Sequence, residues 1–267
     1  VAATWGGNQT AKDGGLDVRV ALPAGTKIEG FIPNPQTGYQ VKKPDMPRAE
    51  ILDEMKPKPA RALRPVLVEL GDVAGAYIIV SSTGSTADSA LKSRRDAMAE
   101  ALKGSAAEGK LALDFYDRNR VATWVRDHAG MVLWVRSRIG KAVPGWQAHG
   151  SWSFAPEGAD AGYIADDHAR IHTGAKDDGD GVSAIEGINR IRKALAARRQ
   201  VVRLVGLSGV GKTRLAEALF DSAIGEGALD PSLAMYTNVA DEPDPPPAGL
   251  ASDLNAGQTR AILVVDN

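Results

Sequence analysis

Apolar residues in the first half of the chain alternate with polar ones at two places. The stretch LDVRVAL at 16–22 follows a Gly-Gly turn, and its alternation predicts a strand with its four apolar residues on one face and Asp17 on the other. The stretch YQVK at 39–42 predicts a second short strand, on which Gln40 and Lys42 share one face. If these strands are neighbours, the acid and the Gln-x-Lys pair can converge.

Three further patterns extend this region into a succession of strands and helices. The continuous apolar run GAYIIVSS at 75–82 predicts a buried strand. Helical spacing of apolar residues at 86–104 predicts an amphipathic helix ended by Gly104, and 110–128 predicts another strand and helix. The predicted order is strand, strand, strand, helix, strand, helix, which is an α/β arrangement.

The second half of the chain repeats these signals around a glycine-rich stretch. The β-branched run VVRLV at 201–205 predicts a strand, and apolar residues three and four apart at 213–224 predict a helix with one buried face. A second helix is predicted upstream, at 182–200. The run AILVVDN at 261–267 predicts a buried strand that ends in Asp266.

Composition limits the kinds of protein that these elements can build. A chain of 267 residues, 43% of them apolar, can supply two cores, while a net charge of −1 gives no overall attraction to nucleic acid or membrane. Any DNA contact must then come from a local patch. The absence of cysteine excludes disulfides, thiolate metal sites and a cysteine nucleophile. With no apolar run near the roughly 18 residues of a membrane span, we expect a cytoplasmic protein with no membrane partner.

We expect two α/β domains. The first covers 1–143, a connecting segment covers 144–181, and the second covers 182–267. Both ends look cut, because residue 1 is Val and the last residue directly follows a predicted buried strand. We therefore expect further segments of the protein beyond either end.

The glycine-rich stretch predicts a nucleotide site. GLSGVGKT at 206–213 satisfies G-x-x-x-x-G-K-[ST] without a mismatch, between a predicted strand and a predicted helix. Its glycines allow backbone N–H groups to point at a phosphate, Lys212 can reach the β and γ phosphates, and the Thr213 hydroxyl can bind Mg²⁺. ATP and Mg²⁺ are thus the predicted cofactors. The predicted binding residues are Gly206, Ser208, Gly209, Val210, Gly211, Lys212, Thr213 and Asp266.

Asp266 is placed to hold Mg²⁺ through water, as the acid at the end of the second core strand does in many ATPases. The alternative is a core strand that ends in a turn aspartate. Asn267 stands where many ATPases carry a second acid that activates water, so we expect slow hydrolysis. The helix at 182–200 followed by GLSGVGKTRLAEALF resembles the STAND class of signal-transduction NTPases, of which the chain would hold only the N-terminal part.

The arrangement of side chains that a metal-dependent phosphodiesterase needs can be formed by Asp17, Gln40 and Lys42. The Asp17 carboxylate and the Gln40 side-chain oxygen can bind Mg²⁺, while Lys42 can orient the attacking water or neutralise developing charge. The alternative is a set of polar residues on a solvated strand face. The element order, the stretch KDGGLD and the pair QVKK resemble the PD-(D/E)xK nuclease superfamily, and within it the Mrr-type restriction endonucleases. That resemblance implies that Asp17, Gln40 and Lys42 are catalytic.

One departure concerns a glutamate that the superfamily often carries on a helix before the Asp strand. No glutamate precedes Asp17 in this sequence. We expect that helix to lie in an N-terminal portion beyond residue 1.

A nuclease module in front of a STAND-like NTPase resembles the antiviral STAND proteins of prokaryotes. The resemblance implies a C-terminal sensor for an invader (phage) protein, ATP-dependent homo-oligomerisation, and cleavage of double-stranded DNA. Two alternatives stay open. One is a restriction motor that translocates DNA, and the other is a non-catalytic scaffold with a degenerate nuclease fold.

Overall fold

The computed structural model describes residues 2–5, 14–26, 28, 30–84, 87–152, 168–174 and 179–267. It is a mixed α/β structure that divides into two compact units, unit 1 (Val1–Trp124) and unit 2 (Val125–Asn267). The predicted boundary at residue 143 lies later in the chain than this division. The difference arises because the segment after Trp124 packs within unit 2.

Unit 1 contains a five-stranded mixed sheet. Its strands are β1 (Ala2–Trp5), β2 (Val18–Ala21), β3 (Gln36–Lys42), β4 (Ala76–Ser81) and β5 (Ala112–Tyr116). They lie in the order β1-β2-β3-β4-β5, antiparallel from β1 to β3 and parallel from β3 to β5. The four strands predicted in this region are confirmed as β2, β3, β4 and β5.

Four helices belong to this part of the chain: α1 (Arg48–Met55), α2 (Pro65–Asp72), α3 (Asp88–Leu102) and α4 (Arg118–Arg126). The first three cover one face of the sheet, where their apolar residues form a core with Tyr77, Ile79 and Phe115. The predictions of α3 and α4 are confirmed. The helices α1 and α2 were not predicted, because α1 buries only Ile51 and Met55 and the surrounding loops are rich in proline.

The other face of the sheet buries Val20, Tyr39, Ile78 and Tyr116, with Trp124 stacked on Phe31 at 5.2 Å between ring centroids. Leu16 is an exception to the predicted alternation. It joins the core beneath the helices, on the opposite side from Val18 and Val20, because the regular strand begins only at Val18.

Unit 2 contains a three-stranded sheet and a two-stranded one. The larger sheet has the order β10 (Ile262–Asp266), β9 (Ala234–Asn238) and β6 (Gln147–Ala148), with β10 and β9 parallel and β6 antiparallel to β9. The smaller one pairs β7 (Arg170–Ile171) with β8 (Val182–Ser183). The helices are α5 (Ala129–Arg138), α6 (Ala184–Ala196), α7 (Lys212–Ala218) and α8 (Pro247–Ala256), with 3₁₀ turns at Pro231–Leu233 and Val239–Asp241.

Part of the predicted connecting segment 144–181 belongs to unit 2. Trp146 is buried in a core with Leu133 of α5 and Met235 of β9, and Ala148 pairs with Met235. Residues 153–167 and 175–178 of that segment lie outside the described residues.

The predicted strand at 201–205 is wrong. This stretch has no regular secondary structure, and Val201 and Val205 are 91% and 82% exposed. A strand needs a neighbour to satisfy its backbone hydrogen bonds, and no described strand pairs with these residues. The predicted helix at 213–224 is shorter than expected and ends at Ala218, where the chain turns.

No helix among the described residues combines the length and the apolar character needed to cross a membrane.

Candidate functional site

The structure brings Asp17 and Gln40 into direct contact. Asp17 lies just before β2, and its backbone N–H donates to the Tyr39 carbonyl on β3 at 2.9 Å. Gln40 Nε2 donates to Asp17 Oδ2 at 2.7 Å, and the Val41 backbone N–H donates to the same oxygen at 2.6 Å. Two donors therefore orient the carboxylate.

The oxygen of the Gln40 amide lacks a hydrogen-bond partner in the part of the chain that the structure describes. Gln40 is 4% exposed, and its Oε1 accepts no hydrogen bond among the described residues. A buried amide oxygen without a donor is costly, and an oxygen ligand of this kind suits Mg²⁺. Gln40 Oε1 is thus a candidate oxygen ligand, although the amide presents its N–H group, and not this oxygen, to Asp17 Oδ2. This set has a single carboxylate, and no cluster of three or more His, Cys, Asp or Glu suited to a metal occurs in the described part of the chain.

Lys42 lies on the same strand but contacts a different group. Its Nζ lies 2.9 Å from Glu54 Oε2 on α1, and the other oxygen of Glu54 lies 2.9 Å from Arg64 Nη2. Arg64 Nε also donates to the Glu54 carbonyl at 2.6 Å. The Glu54 carboxylate is mostly buried and is held by two cations. Among the described contacts, none joins Lys42 directly to Asp17 or Gln40.

The Gly-Gly turn before Asp17 makes room for Arg64. Gly15 has a φ of +99°, and a Cβ built there would lie 2.5 Å from Arg64 Cδ. Any other residue would meet both backbone strain and a steric clash. The turn that begins KDGGLD therefore belongs to the same cluster as Glu54 and Lys42.

Sequence reasoning missed Glu54 and Arg64. Both come from the region of α1 and α2, and neither stands at a spacing from Lys42 that a local pattern would single out. The only signal available was the Gly-Gly turn, whose close approach to another side chain is visible only in the folded chain.

The glycine-rich stretch of unit 2 forms a tight loop. Gly209 and Gly211 have φ of +80° and +89°, and α7 begins directly after them at Lys212. Lys212 Nζ donates to the carbonyls of Gly206 and Leu207, both at 3.0 Å, so the ammonium folds back over the loop. Ser208 and Val210 are exposed in the loop.

The structure also brings Thr213 and Asp266 together. Thr213 Oγ1 donates to Asp266 Oδ2 at 2.7 Å, although the two residues are 53 positions apart. The Tyr236 hydroxyl on β9 donates to the same oxygen at 3.3 Å, while Trp152 stacks on the Tyr236 ring at 4.6 Å. Burial and then the charge of Asp266 raise the pKa of Tyr236, which stays a neutral donor. The hydroxyl and carboxylate predicted to bind Mg²⁺ thus share one site.

Arg192 of α6 fixes the end of the helix that follows the loop. Only 2% of Arg192 is exposed, and its guanidinium makes five hydrogen bonds of 2.5 to 3.0 Å. The acceptors are the carbonyls of Ala218, Leu219, Asp221, Ile224 and Glu226. Every N–H of the side chain is therefore used, and the positive charge lies at the C-terminal end of α7, where it is favourable.

Comparison of the chain with models of protein families, with curated proteins and with solved structures gives no match.

Proposed function

We propose that this chain combines an Mg²⁺-dependent endodeoxyribonuclease, in unit 1, with an ATP-binding STAND-type switch, in unit 2. The observation that carries the proposal is the contact of Gln40 Nε2 with Asp17 Oδ2, with the buried Gln40 Oε1 left without a hydrogen-bond donor among the described residues. The nuclease fold proposed for unit 1 is supported by the place of this contact, which lies on a mixed five-stranded sheet with helices packed against one face. The proposed substrate is double-stranded DNA.

In this proposal each residue of the candidate site in unit 1 has its own role. Bound Mg²⁺ would polarise the scissile phosphate and lower the pKa of an attacking water. Asp17 and Gln40 hold the cation, and the amide N–H of Gln40 keeps the carboxylate oriented. Lys42 neutralises the charge that develops on the phosphate, while Glu54, itself oriented by Arg64, holds the ammonium in place.

The proposed role of unit 2 is to bind ATP and drive assembly. Lys212, which lies on the carbonyls of Gly206 and Leu207, would bind the β and γ phosphates, and Thr213 and Asp266 would hold Mg²⁺. A nucleotide that favours the assembled state needs only differential binding, so slow hydrolysis beside Asn267 is compatible with the role. We further propose that the assembly is a homo-oligomeric antiviral defence protein, triggered through a C-terminal sensor for a phage protein.

Lys212→Ala should weaken binding of Mg²⁺-ATP by about 10- to 100-fold, the worth of a lost charged hydrogen bond to phosphate. Titration with a fluorescent ATP analogue measures this directly. Lys193→Ala, an exposed lysine on α6, is the matched control and should bind like wild type. Equal affinity of wild type and Lys212→Ala would contradict a phosphate-binding role for the loop.

The proposal as a whole is tested by plasmid cleavage with Mg²⁺ and ATP in lysate that contains phage proteins. Wild type should cut, and Lys42→Ala and Lys212→Ala should both lose cleavage. A wild-type protein that binds ATP and assembles without cutting DNA would favour the scaffold alternative.

A further inference from the structure

Tyr77 on β4 is a buried tyrosine whose hydroxyl is unpaired within the described part of the chain. The residue is 0% exposed, and its hydroxyl makes no hydrogen bond with any of the described residues. Leaving a buried hydroxyl unpaired is destabilising, so a phenylalanine would be more favourable at this position. The position is therefore one where a group other than the described residues could pair with the hydroxyl.

The surroundings of Tyr77 point to the candidate cation site. Tyr77 pairs with Gly38 on β3, and Gln40 lies two residues further along that strand on the same face. The two side chains lie on the sheet face covered by α1, α2 and α3. Among the described residues, Gln40 Oε1 is also a buried oxygen without a donor, so two such atoms belong to neighbouring strands.

The charged groups that act on Tyr77 are Asp17, Glu54 and Arg64, which also belong to the candidate site. Burial raises the pKa of Tyr77, and the carboxylates of Glu54 and Asp17 raise it further, while Arg64 opposes them. The phenol therefore stays neutral at physiological pH. A neutral hydroxyl can accept a hydrogen bond from water and donate another, but it does not replace a carboxylate as a direct ligand.

We propose that Tyr77 is part of the cation site, where its hydroxyl oxygen accepts a hydrogen bond from a water molecule in the hydration shell of Mg²⁺. Mg²⁺ keeps several of its waters in protein sites, and a coordinated water is a strong donor. The inference rests on the proposed cation site at Asp17 and Gln40. It adds a residue that orders the hydration shell from the buried side.

The test compares Tyr77→Phe with wild type in the full chain, without nucleotide. Thermal unfolding is followed in EDTA and then over an Mg²⁺ titration, and the rise in midpoint gives the apparent affinity. In EDTA the midpoint should be unchanged or higher, because an unpaired hydroxyl has been removed. The apparent affinity for Mg²⁺ should fall by about three- to tenfold, the worth of one hydrogen bond.

The chain offers a matched control in Tyr116. This residue is also 0% exposed, but it lies on the opposite sheet face and its hydroxyl donates to the Phe31 carbonyl at 3.0 Å. Tyr116→Phe should lower the midpoint in EDTA and leave the Mg²⁺ response unchanged. The two variants remove the same atom, so their opposite signatures separate a cation-linked hydroxyl from a structural one.

Asp17→Asn separates the inference from the function on which it rests. If Asp17→Asn loses the Mg²⁺ response and Tyr77→Phe keeps it in full, the Tyr77 role is overturned and the cation site stands. If Asp17→Asn responds like wild type, the cation site at Asp17 is wrong and the Tyr77 role fails with it. If Asp17→Asn loses the Mg²⁺ response and Tyr77→Phe weakens it, both the cation site and the role of Tyr77 are supported.

Discussion

Replacing Lys42 with alanine is expected to lower the rate of DNA cleavage by about a hundred- to a thousandfold, the usual effect of removing one group that stabilises transition-state charge. The folded structure should tolerate the change. Lys42 is only one of two cations on Glu54, and Arg64 Nη2 stays 2.9 Å from the same carboxylate. The substitution therefore leaves no buried charge unpaired, and the loss can be assigned to the reaction.

The measurement is the single-turnover rate constant with saturating protein, Mg²⁺ and the activating lysate. Lys58→Ala is the matched control, because Lys58 also pairs with a carboxylate of unit 1, Asp53, at 2.9 Å but lies mostly in solvent. It should cut at the wild-type rate. If Lys42→Ala cuts at the wild-type rate, Lys42 has no part in the cleavage step. The catalytic role that the nuclease resemblance implies for the Gln-x-Lys pair is then wrong.

Replacing Arg192 with methionine is expected to lower the free energy of unfolding of unit 2 by about 3 kcal/mol or more. Five backbone carbonyls lose their donor at once, and two of them, those of Ala218 and Leu219, accept in fully buried hydrogen bonds that water reaches poorly. The end of α7 also loses a positive charge. Because α7 begins at the phosphate loop, affinity for Mg²⁺-ATP should fall as well.

Urea unfolding followed by tryptophan fluorescence gives the free energy, since Trp146 and Trp152 lie in the cores of unit 2. Arg190→Met tests the same substitution on the exposed side of α6, where Arg190 forms a surface ion pair with Glu186 at 2.6 Å. It should cost no more than about 0.5 kcal/mol. A similar small loss for Arg192→Met would mean that the five carbonyls find other partners.

The strands and helices with strong periodicity could be read from the sequence, and β2, β3, β4, β5 and α3 lie where the pattern predicts them. The proximity of Asp17 to Gln40 followed from the same pattern, since adjacent strands place matching residues side by side. The run at 201–205 had an equally clear pattern and did not form a strand. Strand formation depends on a neighbouring strand, which a local pattern does not report.

By itself, the sequence determined the features that a few consecutive residues control: the loop at 206–213 with its two glycines at positive φ, and the alternation that puts Gln40 and Lys42 on one face of β3. Only the tertiary structure decided which distant groups meet them. Glu54 reaches Lys42, Tyr77 lies on the strand next to Gln40 and on the same sheet face, and Asp266 accepts from Thr213 across 53 residues. The reason is physical, because backbone conformation depends on neighbours along the chain, whereas these contacts depend on how the sheet and helices pack.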